Sequence, residues 1–532
     1  MPTLLRRVVD AIEGLGPVEV PGRAVSTGSA MGALLHQRDG RCGMPRDLVR
    51  GLTALLAAAA VPLAVCVLLL PVRGAVSEAN VVLILMLVVA VVAALGHRGA
   101  AVLTAVSAAA WFVYFFTTPY ESFTRFNNAD DIATAGQLLV VGLAVSQLAR
   151  RYSRERAIAT TLQRSLLPRV LPDTSAVRAA FRYVPAEAEV GGDWFDVIPL
   201  PGFRTALVVG DVVGHGLRSA VTMGRLRTAV RNFSTLDLPP DELLARLDDL
   251  VNQMDAEEGA GQDVIVAATC LYAIYDPVSC TCAMARAGHF PPAIAYADGR
   301  VEILNLPEGP LLGVGGGLRF EAVELKLPEN TQLVLYTDGL IHNRYRDIGT
   351  GLKLLCDTLS SAGLDPEKTC ERVLEAVLPA SSVDDAALLV ARTRAFPRDR
   401  IAEWDIPAIP AAVPALRAEV LAKLAEWSLE DTAFTTELIL SELVTNAIRY
   451  AAPPIHLRLL RDTTLVVEVS DGSSTSPHLR YATATDEGGR GIFIVAQLAE
   501  RWGTRFTPTG KIVWAEQSAP SVPVAPALAS VA

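Results

Sequence analysis

The chain has 532 residues, a formal net charge of −10, 20% charged residues and a mean hydropathy of +0.34. That length suits about three domains of roughly 150 residues, and the negative balance excludes a general nucleic-acid binder, which needs clustered Lys and Arg. Aromatics make up only 6%, so Ala, Val and Leu carry the apolar excess, which points to membrane helices in part of the chain. The seven scattered cysteines show no zinc-site spacing and predict free thiols in a reducing compartment.

Residues 1–50 read as a flexible cytoplasmic tail without the apolar core of a signal peptide. Four apolar runs follow within 51–149, from "GLTALLAAAAVPLAVCVLLLP" to "DIATAGQLLVVGLAVSQLA", each near the roughly 20 residues that cross a bilayer. Short connections predict a four-helix transmembrane bundle. Arg41, Arg46 and Arg50 precede the first run, Arg98 lies in the second loop and "ARRYSRER" follows the fourth run. The positive-inside tendency then places both termini, and everything after Arg150, in the cytoplasm of a multi-pass membrane protein. Residues 150–172 predict a helical connector that ends at prolines. It reads either as one strand of a signal-transmitting helix pair or as a plain solvated linker.

From 173 to 396 the pattern changes to short apolar strands, several ending in an acid. Asp211 ends "TALVVGDVV", Asp338 ends "TQLVLYTDGL", Asp384 and Asp385 open "DDAALLVART", and Asp193 sits in "GGDWFD". Acids gathered from distant strand ends repel unless a cation neutralises them. Hard divalent cations take such oxygen ligands, and a pair of them can activate water and clamp a phosphoryl group.

The third unit spans 402–516, before a Pro/Ala/Val/Ser-rich tail at 517–532. In "TELILSELVTNAIRYA", Glu442 and Asn446 stand four apart on one helix face. A strand ends at Asp471 and Gly472, and Gly488, Gly489, Arg490 and Gly491 open a helix whose first N–H groups favour phosphate.

Three resemblances follow from these motifs. The block with "FVYFFTTPYESFTRFNNADDIATA" resembles the four-helix membrane domain of KdpD-type sensor kinases. The ordered set "TLQRSLLPRVLP", "VGGDWFDVIPL", "ALVVGDVVGHGLRSAVTMG", "ARAGHFPPAIAYADG", "LVLYTDGLIHNR" and "DDAALLV" closely resembles the SpoIIE/RsbU branch of the metal-dependent (PPM) serine/threonine protein phosphatases. That resemblance implies an αββα sandwich holding two or more Mn²⁺ or Mg²⁺ ions. Asp211 would bridge the metals, Val212 would offer its carbonyl, Asp338 and Asp384 would bind the second metal, and Asp193 would orient a metal-bound water. His215 and His289 are expected to be structural rather than ligands. "IHNRYRDIG" replaces the acid-bearing segment usual after "TDGL".

The C-terminal motifs resemble the GHKL (Bergerat) ATP-binding α/β sandwich, in the anti-sigma-factor serine kinase branch of RsbW and SpoIIAB. The resemblance implies that Asn446 binds Mg²⁺, Asp471 with Gly472 reads the adenine, residues 488–491 hold the phosphates of ATP, and Glu442 is the base for a serine hydroxyl. Histidine kinases share this ATP fold but need a phosphoacceptor histidine before it, and no histidine occurs between His342 and His456. The implied protein is a membrane-anchored phosphatase with an ATP-binding, kinase-like head. Its implied partners are a phosphoserine or phosphothreonine protein of the STAS anti-sigma-factor-antagonist type and a sigma factor, with no nucleic acid. Oligomeric state is open, a homodimer included. The alternative is a nucleotide-gated scaffold that sequesters a sigma factor with both heads inactive.

Overall fold

A computed structural model describes residues 46–73, 77–94, 100–117, 120, 129–186, 191–258, 266–314, 317, 319–343, 345–361, 363, 365–378, 384–475 and 491–519. The predicted tails, apart from residues 46–50 and 517–519, lie outside the described residues, as do Gly488, Gly489 and Arg490. The chain divides into two compact units, 1–146 and 147–532.

In the first unit the four predicted runs are helices: α1 (Arg46–Leu69), α2 (Glu78–Ala94), α3 (Ala100–Phe116) and the start of α4 (Ala129–Leu166). Leu85, Phe112 and Cys66 sit in the core formed by the first three. Among the described residues, no helix is long and apolar enough to cross a membrane. Helices α2 and α3 have 17 residues each, about 26 Å at 1.5 Å per residue, against a hydrocarbon core of about 30 Å. Fourth run and connector form one uninterrupted 38-residue helix. The physical reason is in the sequence: no Gly or Pro occurs between Gly142 and Pro168.

The second unit begins with the αββα sandwich that the phosphatase resemblance implies. One sheet orders β2 (Trp194–Pro199), β3 (Thr205–Val212), β4 (Ala268–Asp276), β5 (Thr281–Ala287) and β8 (Val323–Lys326). The other orders β1 (Val177–Val184), β10 (Ala386–Thr393), β9 (Gln332–Tyr336), β6 (Ala293–Ala295) and β7 (Val301–Ile303). Every named pairing is antiparallel. Strand β3 shows why its sequence reads as unbroken apolar rather than alternating. Leu207 and Val209 point between the sheets, while Ala206, Val208 and Val212 point to the outer helices α5 (Leu217–Ser234) and α6 (Pro240–Glu258). Both faces of the strand are covered, so period-2 alternation has no polar half. Beyond the short helix α7 (Asp338–Ile341), helices α8 (Ile348–Ser361) and α9 (Pro366–Val377) cover the second sheet.

The last domain is a two-layer α/β sandwich. Its sheet orders β11 (Ile401–Ile406), β12 (Ile455–Arg461), β13 (Thr464–Asp471), β15 (Gly510–Ser518) and β14 (Arg501–Thr507). Helices α10 (Val413–Glu426), α11 (Ala433–Tyr450) and α12 (Gly491–Leu498) pack on one face. Leu465, Val467 and Val469 point to the helices, and Val466 and Glu468, of opposite parity, point away.

Candidate active site and nucleotide site

The antiparallel register carries Asp211 to the end of β3 opposite Thr269. Asp338 stands on the turn that leaves β9, and Asp384 just before β10. Asp193 precedes β2, is 2% exposed, and accepts a 2.6 Å hydrogen bond from the Thr337 hydroxyl. Burial first, and then the charge of Asp338, with Asp384 and Asp385 contributing, pushes the Asp211 carboxyl up to about 7. Burial and the neighbouring Asp211 push Asp193 well above the usual carboxylate range.

The four predicted acids thus meet electrostatically at one end of the sheets. Among the described residues, no group of three or more His, Cys, Asp or Glu side chains is placed so as to hold a metal ion. One feature fits a cation directly: Asp338 Oδ1 is buried without a hydrogen-bond partner. An uncompensated buried carboxylate oxygen is costly, and a divalent cation is the partner that such an oxygen lacks. Gly192 lets the backbones close up here, since a Cβ at 192 would sit 2.6 Å from the Val212 carbonyl oxygen. The ligands that the resemblance implies, Asp211, Asp338, Asp384 and the Val212 carbonyl, are all oxygen donors, the type that Mg²⁺ and Mn²⁺ prefer.

His289 is no ligand. Its Nδ1 meets Thr269 Oγ1 at 2.7 Å and its Nε2 meets the Tyr336 carbonyl at 3.1 Å, and burial lowers its pKa to about 4. It is a neutral strut between the two sheets, as expected. His215 lies on the exposed turn after Asp211.

The sequence shows Asp385 only as half of a doubled acid and gives no sign of a role for Gln163. Asp385 is fully buried and accepts the backbone N–H of Ala186 at 2.7 Å and of Gly191 at 3.0 Å, so it ties down Gly191, two residues before Asp193. Gln163, near the end of α4, donates to Asp385 Oδ2 at 2.6 Å and to the Gly191 carbonyl at 3.0 Å. The Tyr183 hydroxyl also donates to Asp385. The connector's last turn is therefore docked on the phosphatase-like domain, with Leu166 and Leu167 against its core, and is not a solvated linker. The only signal in the sequence was the doubled acid.

In the last domain, α11 presents Glu442 and Asn446 to the start of α12. A Cβ at Gly491 would meet Glu442 Oε2 at 2.5 Å and Asn446 Nδ2 at 3.2 Å, so the helix N-terminus opens directly beside both. Asp471 is 6% exposed, and its Oδ1 accepts from Lys511 Nζ and from the Ser473 N–H, both at 2.8 Å. The Gly472 N–H donates to the Ala452 carbonyl at 2.7 Å, which fixes the turn after Asp471. Lys511 was not anticipated. It faces Asp471 only because β13 and β15 pair in that register.

Comparison with known proteins assigns a class to each part. Residues 201–394 match the family described as Stage II sporulation protein E (SpoIIE), 406–516 match a histidine kinase-like ATPase domain, and 55–162 match a domain of unknown function, DUF4118. The chain thus joins a SpoIIE-type phosphatase domain to a histidine kinase-like ATPase domain. Among curated proteins it is similar to Protein IcfG of Synechocystis sp., 27% identical over 206 residues, 34% of this chain and 32% of that protein. It is also similar to Phosphoserine phosphatase RsbP of Bacillus subtilis, 26% identical over 189 residues, 35% of this chain and 45% of that protein. The chain therefore spans less than half the length of either relative. The solved RsbU and RsbW domains of Rv1364c from Mycobacterium tuberculosis align over 66% of this chain and 96% of that one, at 24% identity and a TM-score of 0.37. The SiaA-PP2C domain of Pseudomonas aeruginosa aligns over 46% of this chain and 97% of that one, at 20% identity and a TM-score of 0.37.

Proposed function

We propose that the protein is a metal-dependent protein serine/threonine phosphatase whose C-terminal domain binds ATP with Mg²⁺. The observation that carries this reading is the convergence of Asp193, Asp211 and Asp338 at one end of the sandwich, with Asp338 Oδ1 buried and unpaired. Asp211, Asp338, Asp384 and the Val212 carbonyl hold the cations. When bound, these neutralise phosphoryl oxygens and lower the pKa of water. Asp193, fixed by Thr337 and next to Asp211, orients the attacking water. Asp385 and Gln163 hold the Gly191 backbone, two residues before Asp193.

In the ATP-binding head, Asn446 holds Mg²⁺, Asp471 with Gly472 reads the base, residues 488–491 hold the phosphates, and Glu442 serves as base if a serine hydroxyl is phosphorylated. The substrate class is a phosphorylated STAS-type anti-sigma-factor antagonist, and the pathway controls a sigma factor. The name of the RsbP relative and the pairing of the two domain types support this reading. Residues 51–149 anchor the chain in the cell membrane with both heads cytoplasmic. In support, the first unit carries exposed apolar side chains such as Leu68 (78%), Leu83 (62%) and Val140 (66%).

The test is hydrolysis of p-nitrophenyl phosphate and of a phosphoserine protein by the full chain with Mn²⁺. Asp211→Asn and Asp338→Asn should each lower kcat at least 100-fold. Wild-type rates in both variants would sink the assignment.

A further inference from the structure

The outer face of the ATPase sheet is not free. Glu468, on that face, is 2% exposed and accepts Arg458 Nε at 2.8 Å and Arg505 Nη2 at 3.3 Å. Arg505 also faces the phosphatase domain, where its Nη1 stands 3.8 Å from Asp237 Oδ2. Asp237, in the turn after α5, takes the Arg204 guanidinium on its other oxygen. Arg204 immediately precedes β3, the strand that ends in Asp211. The five charges, all buried except the half-buried Arg458, form one line from the ATPase sheet to the start of β3 and the C-terminal end of α5, the ends of that strand and helix away from Asp211.

One joint in this line is open. Asp237 Oδ2 and Arg505 Nη1 are both buried, and neither has a hydrogen-bond partner. At 3.8 Å they are too far apart to hydrogen-bond and too close to admit a water. A shift of about 0.8 Å would close the bond to the usual length. The Pro201–Phe203 turn before β3 packs against the same carboxylate: a Cβ at Gly202 would come within 2.7 Å of Glu468 Oε1. Burial pushes Glu468 upward, but Arg458 and Arg505 outweigh it and hold its carboxyl at about 2. The line therefore stays charged.

The same strands reach the base-reading pair. Glu468 lies three residues before Asp471 on β13, and Arg505 pairs with Ile512, next to Lys511. The outer-face charges and the inner-face Asp471–Lys511 pair thus share one small sheet.

Resting on the proposed readings of both sites, we propose that the Arg505–Asp237 joint couples them: nucleotide in the ATPase domain moves this sheet, changes the joint, and so sets phosphatase turnover. Arg505, Glu468 and Asp237 act as positioning residues.

The experiment measures Mn²⁺-dependent p-nitrophenyl phosphate hydrolysis by the full chain with and without a non-hydrolysable ATP analogue, alongside the Kd of that analogue. The wild type should change kcat at least threefold at saturating analogue. Arg505→Gln should bind the analogue with a Kd within twofold of wild type yet lose the response, and Arg505→Lys should keep at least half of it. The unchanged Kd shows that the Arg505→Gln ATPase domain is folded. Analogue binding without any change in wild-type kcat overturns the coupling, as does a full response in Arg505→Gln. Absence of hydrolysis, or of analogue binding, in the wild type would instead overturn the underlying reading of that site and the coupling with it.

Discussion

Metal affinity should depend on pH through Asp211. In the metal-free fold its carboxyl titrates at about 7, against 3.8 when unperturbed, because it is buried among other acids. The folded chain therefore keeps a proton that the unfolded chain releases between pH 3.8 and 7. Across that window the metal-free fold loses stability as pH rises, by on the order of 4 kcal/mol for a shift of this size at 1.36 kcal/mol per unit. A divalent cation needs the carboxylate, so its binding expels the proton. Below about pH 7 the apparent Kd for Mn²⁺ should worsen about tenfold per pH unit, and more steeply where Asp193, also raised, gives up a second proton. Above that it should level off. Calorimetric titration of Mn²⁺ in two buffers of different ionisation enthalpy counts the protons. Asp211 should release about one proton at pH 6 and almost none at pH 8.5. The melting temperature gained on adding Mn²⁺ should grow over the same range. A pH-independent Kd with no proton release at pH 6 would refute the reasoning.

Other outcomes follow from single contacts. Gly339→Ala would drive a Cβ into the Asp385 carbonyl; turnover should fall at least tenfold, with about 1–3 kcal/mol of overpacking seen in urea unfolding. Lys511→Met would strip a buried ion-pair partner from Asp471. The Kd for ATP should weaken at least tenfold while Mn²⁺-dependent hydrolysis without nucleotide stays within twofold, and unchanged ATP binding would remove Asp471 from the base site. Glu468→Gln breaks a buried network, which should cost about 3–5 kcal/mol. The wild-type contribution of Glu468 is present above its unfolded value of 4.5 and is lost as pH falls towards about 2. Acid unfolding of the variant should therefore lack that component, measured by circular dichroism against pH.

Much was legible in the sequence because it was local. Asp211 ends a strand that is apolar throughout since both faces are covered, and Glu442 and Asn446 share a helix face by i,i+4 spacing alone. Order and type of the domains, the acids at strand ends, and a structural rather than ligand role for His289 were readable at that level. Contacts across long separations were not. Gln163 reaches Asp385 over 222 residues, and Arg505 reaches Asp237 from another domain. Lys511 meets Asp471 only through the pairing of β13 with β15. Hydrophobic periodicity decides which way a side chain points, but strand order and register decide what it meets. Residue types and spacing thus make the candidate chemistry legible, whereas strand order and helix packing are what dock the connector helix on Asp385 and Gly191 and tie the outer face of the ATPase sheet by buried charge to the start of the strand that bears Asp211.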